Sequence, residues 1–87
     1  MRSAGMKVLR MIIDLIHMRP GESGVVAEFH GGHDFTARIQ SMGLRPGKKI
    51  TKISSHFWRG PQTVKIGALQ IAIGFGMARK VFVEVAR

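Results

Sequence analysis

His30, His33 and Asp34 bring two imidazoles and a carboxylate into one short segment. Imidazole nitrogen and carboxylate oxygen suit zinc or ferrous iron. A structural zinc site needs a full tetrahedral set, and only the distant His17 and His56 are left to complete it. The competing reading is that Asp34 caps a helix while both histidines sit in a solvent-facing loop. We adopt that reading, and keep His30, His33 and Asp34 as weak candidates for Fe(II) or Zn(II). A second constellation, Ser54-Ser55-His56, places hydroxyls beside an imidazole. Neighbouring strand residues point to opposite faces, and no third group is evident to orient the base, so nucleophilic catalysis is not supported. The five carboxylates are scattered and there is no cysteine. The expectation is a protein that is not an enzyme. A third pair, Trp58-Arg59, combines the residue types that dominate protein interface hot spots, and is the candidate partner anchor.

These residues must be positioned by a small framework. A chain of 87 residues is one domain with a modest core, and with no cysteine it is held by packing and backbone pairing alone. That composition fits a reducing, cytoplasmic setting. Lys7, Arg10, Asp14 and Arg19 interrupt the amino-terminal apolar stretch, so no segment reads as a membrane span. Residues 1–10 read as an amino-terminal extension with a disordered start, and 11–87 as the folded domain. The formal charge is +9, and no acid occurs between Asp34 and Glu84. Such a balance attracts nucleic acid, anionic headgroups or an acidic protein without choosing among them.

Met18-Arg19-Pro20-Gly21-Glu22 echoes Leu44-Arg45-Pro46-Gly47-Lys48. Pro presets φ for the second residue of a type II turn and Gly supplies the positive φ of the third, so the echo predicts one turn used twice, each before a strand. The first strand is predicted over Gly24 to Phe29. Phe35, Ile39 and Met42 then share a helical face, with Asp34 as N-cap and Gly43 as the left-handed stop. Four β-rich segments follow: "KITKISSHF", "QTVKI", "LQIAI" and "KVFVEV". Turn signals lie at Trp58 to Pro61 and at Gly67-Ala68. Ile50 and Ile53 break strict alternation, which predicts a bulge, and Gly74 to Ala78 leaves room for one helical turn. The pattern is all-β with one short helix, a small barrel of about five strands.

In order, spacing and turn positions, "GESGVVAEF", "RIQSMGLRPGKKI", "QTVKIG" and "LQIAIGFGMARKVFVEV" resemble the FeoA family, ferrous iron transport protein A. The resemblance runs from about Met11 to Val85. Its most specific part is Arg38 to Gly47: a helix end, a Met-Gly stop and a Pro-Gly turn. It implies a cytoplasmic, non-enzymatic SH3-like β-barrel acting with the membrane GTPase FeoB in ferrous iron uptake. The same fold resembles the carboxy-terminal domain of iron-dependent repressors. Two departures stand out. Ile73-Gly74-Phe75-Gly76-Met77-Ala78 replaces the commoner "LRxxEA", and Trp58-Arg59-Gly60-Pro61 replaces an acidic hairpin tip, so the family's charged contacts there are not carried over.

The expected function is an accessory of ferrous iron uptake that binds or regulates a FeoB-like GTPase, approaching the inner face of the cell membrane. The alternatives are a basic nucleic-acid-binding barrel, with Phe57 and Trp58 stacking on bases, or a weak divalent-metal sensor. A homodimer through exposed strand edges is also compatible with the pattern.

Overall fold

The structure, a computed structural model, describes residues 9–55 and 60–87. Strand β1 (Met11–Asp14) leads into a 3-10 turn (Leu15–His17) and β2 (Ser23–Phe29). Helix α1 (His33–Ser41) precedes β3 (Lys49–Ser55), β4 (Gln62–Ile66) and β5 (Leu69–Ile73), and α2 (Phe75–Ala78) precedes β6 (Val81–Val85). The six strands among the described residues form one sheet in the order β1-β6-β2-β3-β4-β5, with antiparallel neighbours throughout. The arrangement is a small SH3-like barrel.

The count of about five strands is corrected to six by β1. Met11 to Ile13 is a short apolar run without alternation, cut off from Leu15 and Ile16 by Asp14, and its partner β6 lies at the other end of the chain. The pairing is not local. Asp34 is also corrected. The helix starts two residues earlier than the capping reading requires, Gly32 takes the N-cap position, and no side chain caps it. Asp34 instead lies in the first turn, where its charge still suits the positive end of the helix dipole.

The predicted end of α1 is present in full. Met42 is the C-cap and Gly43 follows with φ +101°. Gly43 N–H donates to the Gln40 carbonyl at 3.0 Å and Leu44 N–H to that of Ile39 at 3.4 Å. This is a Schellman closure, completed by the buried Ile39 and Leu44 side chains.

Both Pro-Gly turns form. Gly21 and Gly47 have φ of +86° and +91°, and the closing bonds Glu22 N–H to Arg19 O and Lys48 N–H to Arg45 O measure 2.9 and 3.0 Å. The two turns then dock alike on opposite ends of the β2–β3 pair. Gly21 N–H donates to Lys52 O (2.7 Å) and Lys52 N–H returns to Glu22 O (2.8 Å). Gly47 N–H donates to Val26 O (2.8 Å) and Val26 N–H returns to Lys48 O (2.9 Å). The pair thus has a local two-fold character that the sequence echo foreshadows.

The core is the inward face of this sheet closed by α1, the 3-10 turn and α2. Alternation along β6 sends Val81, Val83 and Val85 inward, where they meet Val26, Ile50 and Val64. A register shift between Val26 and Glu28 lets β2 present Val26 and, three residues on, Phe29 to the core. Gly24 is demanded by packing. A Cβ there would lie 2.5 Å from Val83 Cγ1 and 2.7 Å from the Glu84 carbonyl oxygen. The predicted irregularity in β3 falls between Lys52 and Ser54, leaving Ile50 buried and Ile53 exposed.

Candidate functional site

Among the described residues, no group of three or more His, Asp or Glu side chains is placed to hold an ion. His30, just beyond β2, pairs through Nε2 with Glu28, and its ring lies 4.0 Å from that of Phe82. His33 opens α1 and Asp34 follows it, exposed. Asp34 joins Phe35, Arg38 and Met77 in lining a groove of about 240 Å³ between the two helices, and Lys80 Nζ stands 5.5 Å from the Phe35 ring centroid. Trp58 and Arg59, the candidate anchor, lie outside the described residues with His56 and Phe57, as does the predicted turn that begins at Trp58.

Lys52 corrects the reading of the basic residues as a surface property. Its side chain is fully buried, and Nζ donates to the carbonyls of Leu15 (2.8 Å), Met18 (3.1 Å) and Ile16 (3.4 Å). A cation at the carbonyl end of the 3-10 turn meets the negative end of its dipole. Asp14 holds the other end, accepting from His17 N–H at 3.0 Å and facing His17 Nδ1 at 2.8 Å. Burial pushes the Lys52 ammonium below its usual pKa, and the negative charges of Asp14 and Glu22 offset only part of that shift. Glu22 is clamped in turn by Arg87, whose Nε donates to Oε2 at 2.9 Å while Nη2 donates to His17 O at 3.0 Å. Burial alone would raise the Glu22 pKa. The Arg19 amide, then the Arg87 hydrogen bond and the charges of both arginines, bring it below the usual value. This network ties the segment between β1 and β2 to β3 and to the carboxy-terminal Arg87.

The feature that sequence reasoning missed lies on the outer face of the sheet, at its β1 edge. Register places Ile12 opposite Glu84, Glu84 opposite Val25, and Val25 opposite Lys49. Directly opposed residues share a face, so these four form one row across β1, β6, β2 and β3. The row borders a trough of about 260 Å³ lined by Arg10, Ser23, Val25, Lys49, Glu84 and Ala86. Arg10 approaches Glu84 at 3.8 Å; the Arg10 side chain is largely exposed and that of Glu84 is half-buried. Ile12 and Val25 leave apolar surface in water along this row, and Leu9 and Met11 are exposed at the same edge of the sheet. The signal available in sequence was the mixture of basic and apolar residues in Leu9-Arg10-Met11-Ile12, unreadable as a surface until β1 is known to be an edge strand.

Among the described residues, six antiparallel strands around a small core, with one helix of nine residues between β2 and β3, define an SH3-like barrel. Within that class the chain belongs to the FeoA family, whose domain model matches residues 13–85. It is 33% identical over 72 residues to the putative Fe(2+) transport protein A of Methanocaldococcus jannaschii, covering 83% of this chain and 85% of that protein. A crystal structure of an iron uptake regulatory protein, FeoA, superposes with a TM-score of 0.78 at 40% identity, covering 84% of this chain and 96% of that one. A manganese-dependent transcriptional repressor gives a TM-score of 0.79 at 19% identity, with 98% of this chain matching 47% of the repressor. At that identity the likeness is one of fold.

Proposed function

We propose that this protein is an accessory of ferrous iron uptake that works in the cytoplasm by docking on a FeoB-like membrane GTPase. The observation that carries the reading is the near end-to-end match to a solved FeoA at 40% identity. The geometry is in keeping with it. The described polar clusters cap turns, tie loops or lie on the surface, and none joins a nucleophile to an oriented base. Among the described residues no helix is long and apolar enough to cross a membrane, so a role in transport would be exercised on a partner that does. In this role ferrous iron is cargo of the partner and needs no resident site here. The basic surface raises the encounter rate with acidic patches near the membrane, and association weakens as salt is added.

The test is association with the soluble GTPase domain of the cognate transporter and with the full-length transporter in lipid, measured at low and physiological salt. We expect salt-sensitive binding to at least one of them. No association with either at low salt removes the accessory role. Submicromolar binding of single-stranded RNA at physiological salt, in the same protein preparation, favours the nucleic-acid alternative instead.

A further inference from the structure

We propose that the outer face at the β1 edge seats directly on an anionic lipid surface. The inference rests on the reading above, that the protein works beside a membrane transporter, and adds which face is turned to the bilayer.

Six large apolar side chains are exposed among the described residues: Ile12 (55% exposed) and Val25 (39%) belong to this row, Leu9 (65%) stands just ahead of the edge strand β1, and Met11 (45%), opposite the inward-facing Val85, borders the same edge from the other face. The other two, Ile53 and Leu69, lie on β3 and β5. Scattered exposed apolar residues need no explanation, but three of the six lie on or beside the edge strand β1, and apolar residues so collected beside polar ones fit an interaction site. The rim is cationic. Arg10 and Lys49 wall the trough and Lys48 precedes Lys49; among the described residues no carboxylate pairs with either lysine. Glu84 is the acid of the trough, and Arg10 is its partner.

Charge selects the occupant. A second copy of the chain brings another +9 and is repelled, while an anionic surface is attracted to the whole molecule as well as to this corner. Apolar side chains between long cationic ones are the composition of surfaces that lie in a membrane interface. The aliphatic stems of Arg10 and Lys49 cover apolar ground while their charged ends reach headgroup phosphates, and Leu9 and Ile12 enter the acyl boundary. A protein partner with an acidic, apolar patch is the rival, and the experiment separates the two.

The experiment is sedimentation of the full chain with vesicles of phosphatidylglycerol and phosphatidylcholine, and with phosphatidylcholine alone. We expect at least about tenfold stronger partitioning onto the anionic vesicles, falling with salt. The double substitution Leu9→Ser and Ile12→Ser should lower partitioning about fivefold or more, since each buries apolar surface only in the membrane. Leu9→Ser alone, ahead of β1, guards against a folding defect in the pair and should show part of the loss. Arg38→Ala, an exposed charge on α1, should cost no more than about twofold, because it removes one charge without touching the face. Equal partitioning onto both vesicle types overturns the proposal, as does an Arg38→Ala loss as large as that of the double variant. If the double variant keeps vesicle binding but loses the transporter's soluble domain, the face docks protein and the lipid proposal falls. Vesicle binding through this face stands even where transporter binding fails, so the two readings are refuted by different measurements.

Discussion

Lys52 is the residue at which local chemistry and fold are most tightly joined. Its ammonium gains three carbonyl partners but loses water, and the second effect lowers its pKa. A lysine depressed in the folded state binds its proton more readily in the unfolded chain. Below the folded pKa the burial cost is therefore fully present. As pH rises from the folded pKa toward the unfolded value of about 10.5, the native state gains on the unfolded one. Lys52→Met abolishes that gain and also strips the Leu15 and Met18 carbonyls of a donor, at about 1–3 kcal/mol. In chemical denaturation across alkaline pH, the stability of the natural protein relative to Lys52→Met should therefore increase as pH climbs. A constant difference between the two would show that Lys52 is not the titrating group. Nothing in "KITKISS" distinguishes this lysine from its solvated neighbours; the distinction comes from the 3-10 turn, 34 to 37 positions earlier, that covers it.

At the scale of elements, the end of α1 is the clearest case of sequence dictating geometry. Gly43 holds φ +101°, a conformation closed to branched side chains, whereas Lys48 merely follows the second turn and is exposed. Gly43→Val should cost about 1–3 kcal/mol of stability from backbone strain, and Lys48→Ala less than about 0.5 kcal/mol. Thermal denaturation of the two variants tests this, and equal losses would sink the assignment. The elements that could be read from sequence are those whose signals are local: the Pro-Gly turns, the Schellman end, the Phe35, Ile39, Met42 face, and the strands after Lys49. Those that escaped depend on distant partners. Strand β1 exists because β6 pairs with it, and the phase of β2 depends on a bulge at Ala27 opposite β6. The candidate surface escaped for the same reason, since its row of Ile12, Glu84, Val25 and Lys49 is drawn from four separate strands. His30, His33 and Asp34, adjacent in sequence, illustrate the converse, because proximity along the chain did not bring them into one ligand set.

For the whole molecule, a +9 charge is spread over a barrel whose radius of gyration is 13.6 Å, so the charges act at separations comparable to the Debye length. Cohesion must then come from the sheet and the small core beneath it. The paired docking of the two Pro-Gly turns bears on how that cohesion is distributed. Loop amides ordinarily exchange their protons with solvent quickly, but those of Gly21 and Gly47 are locked to Lys52 and Val26 at opposite ends of one strand pair. They can be released only when β2 and β3 part. In deuterium exchange followed residue by residue, Gly21 and Gly47 should persist about as long as Val26 and Lys52, while Gly31 and Gly32, which donate no such bond among the described residues, should vanish early. Slow exchange at both turns would mark β2, β3 and their two reversals as a single cooperative folding unit, the last part of the barrel to open.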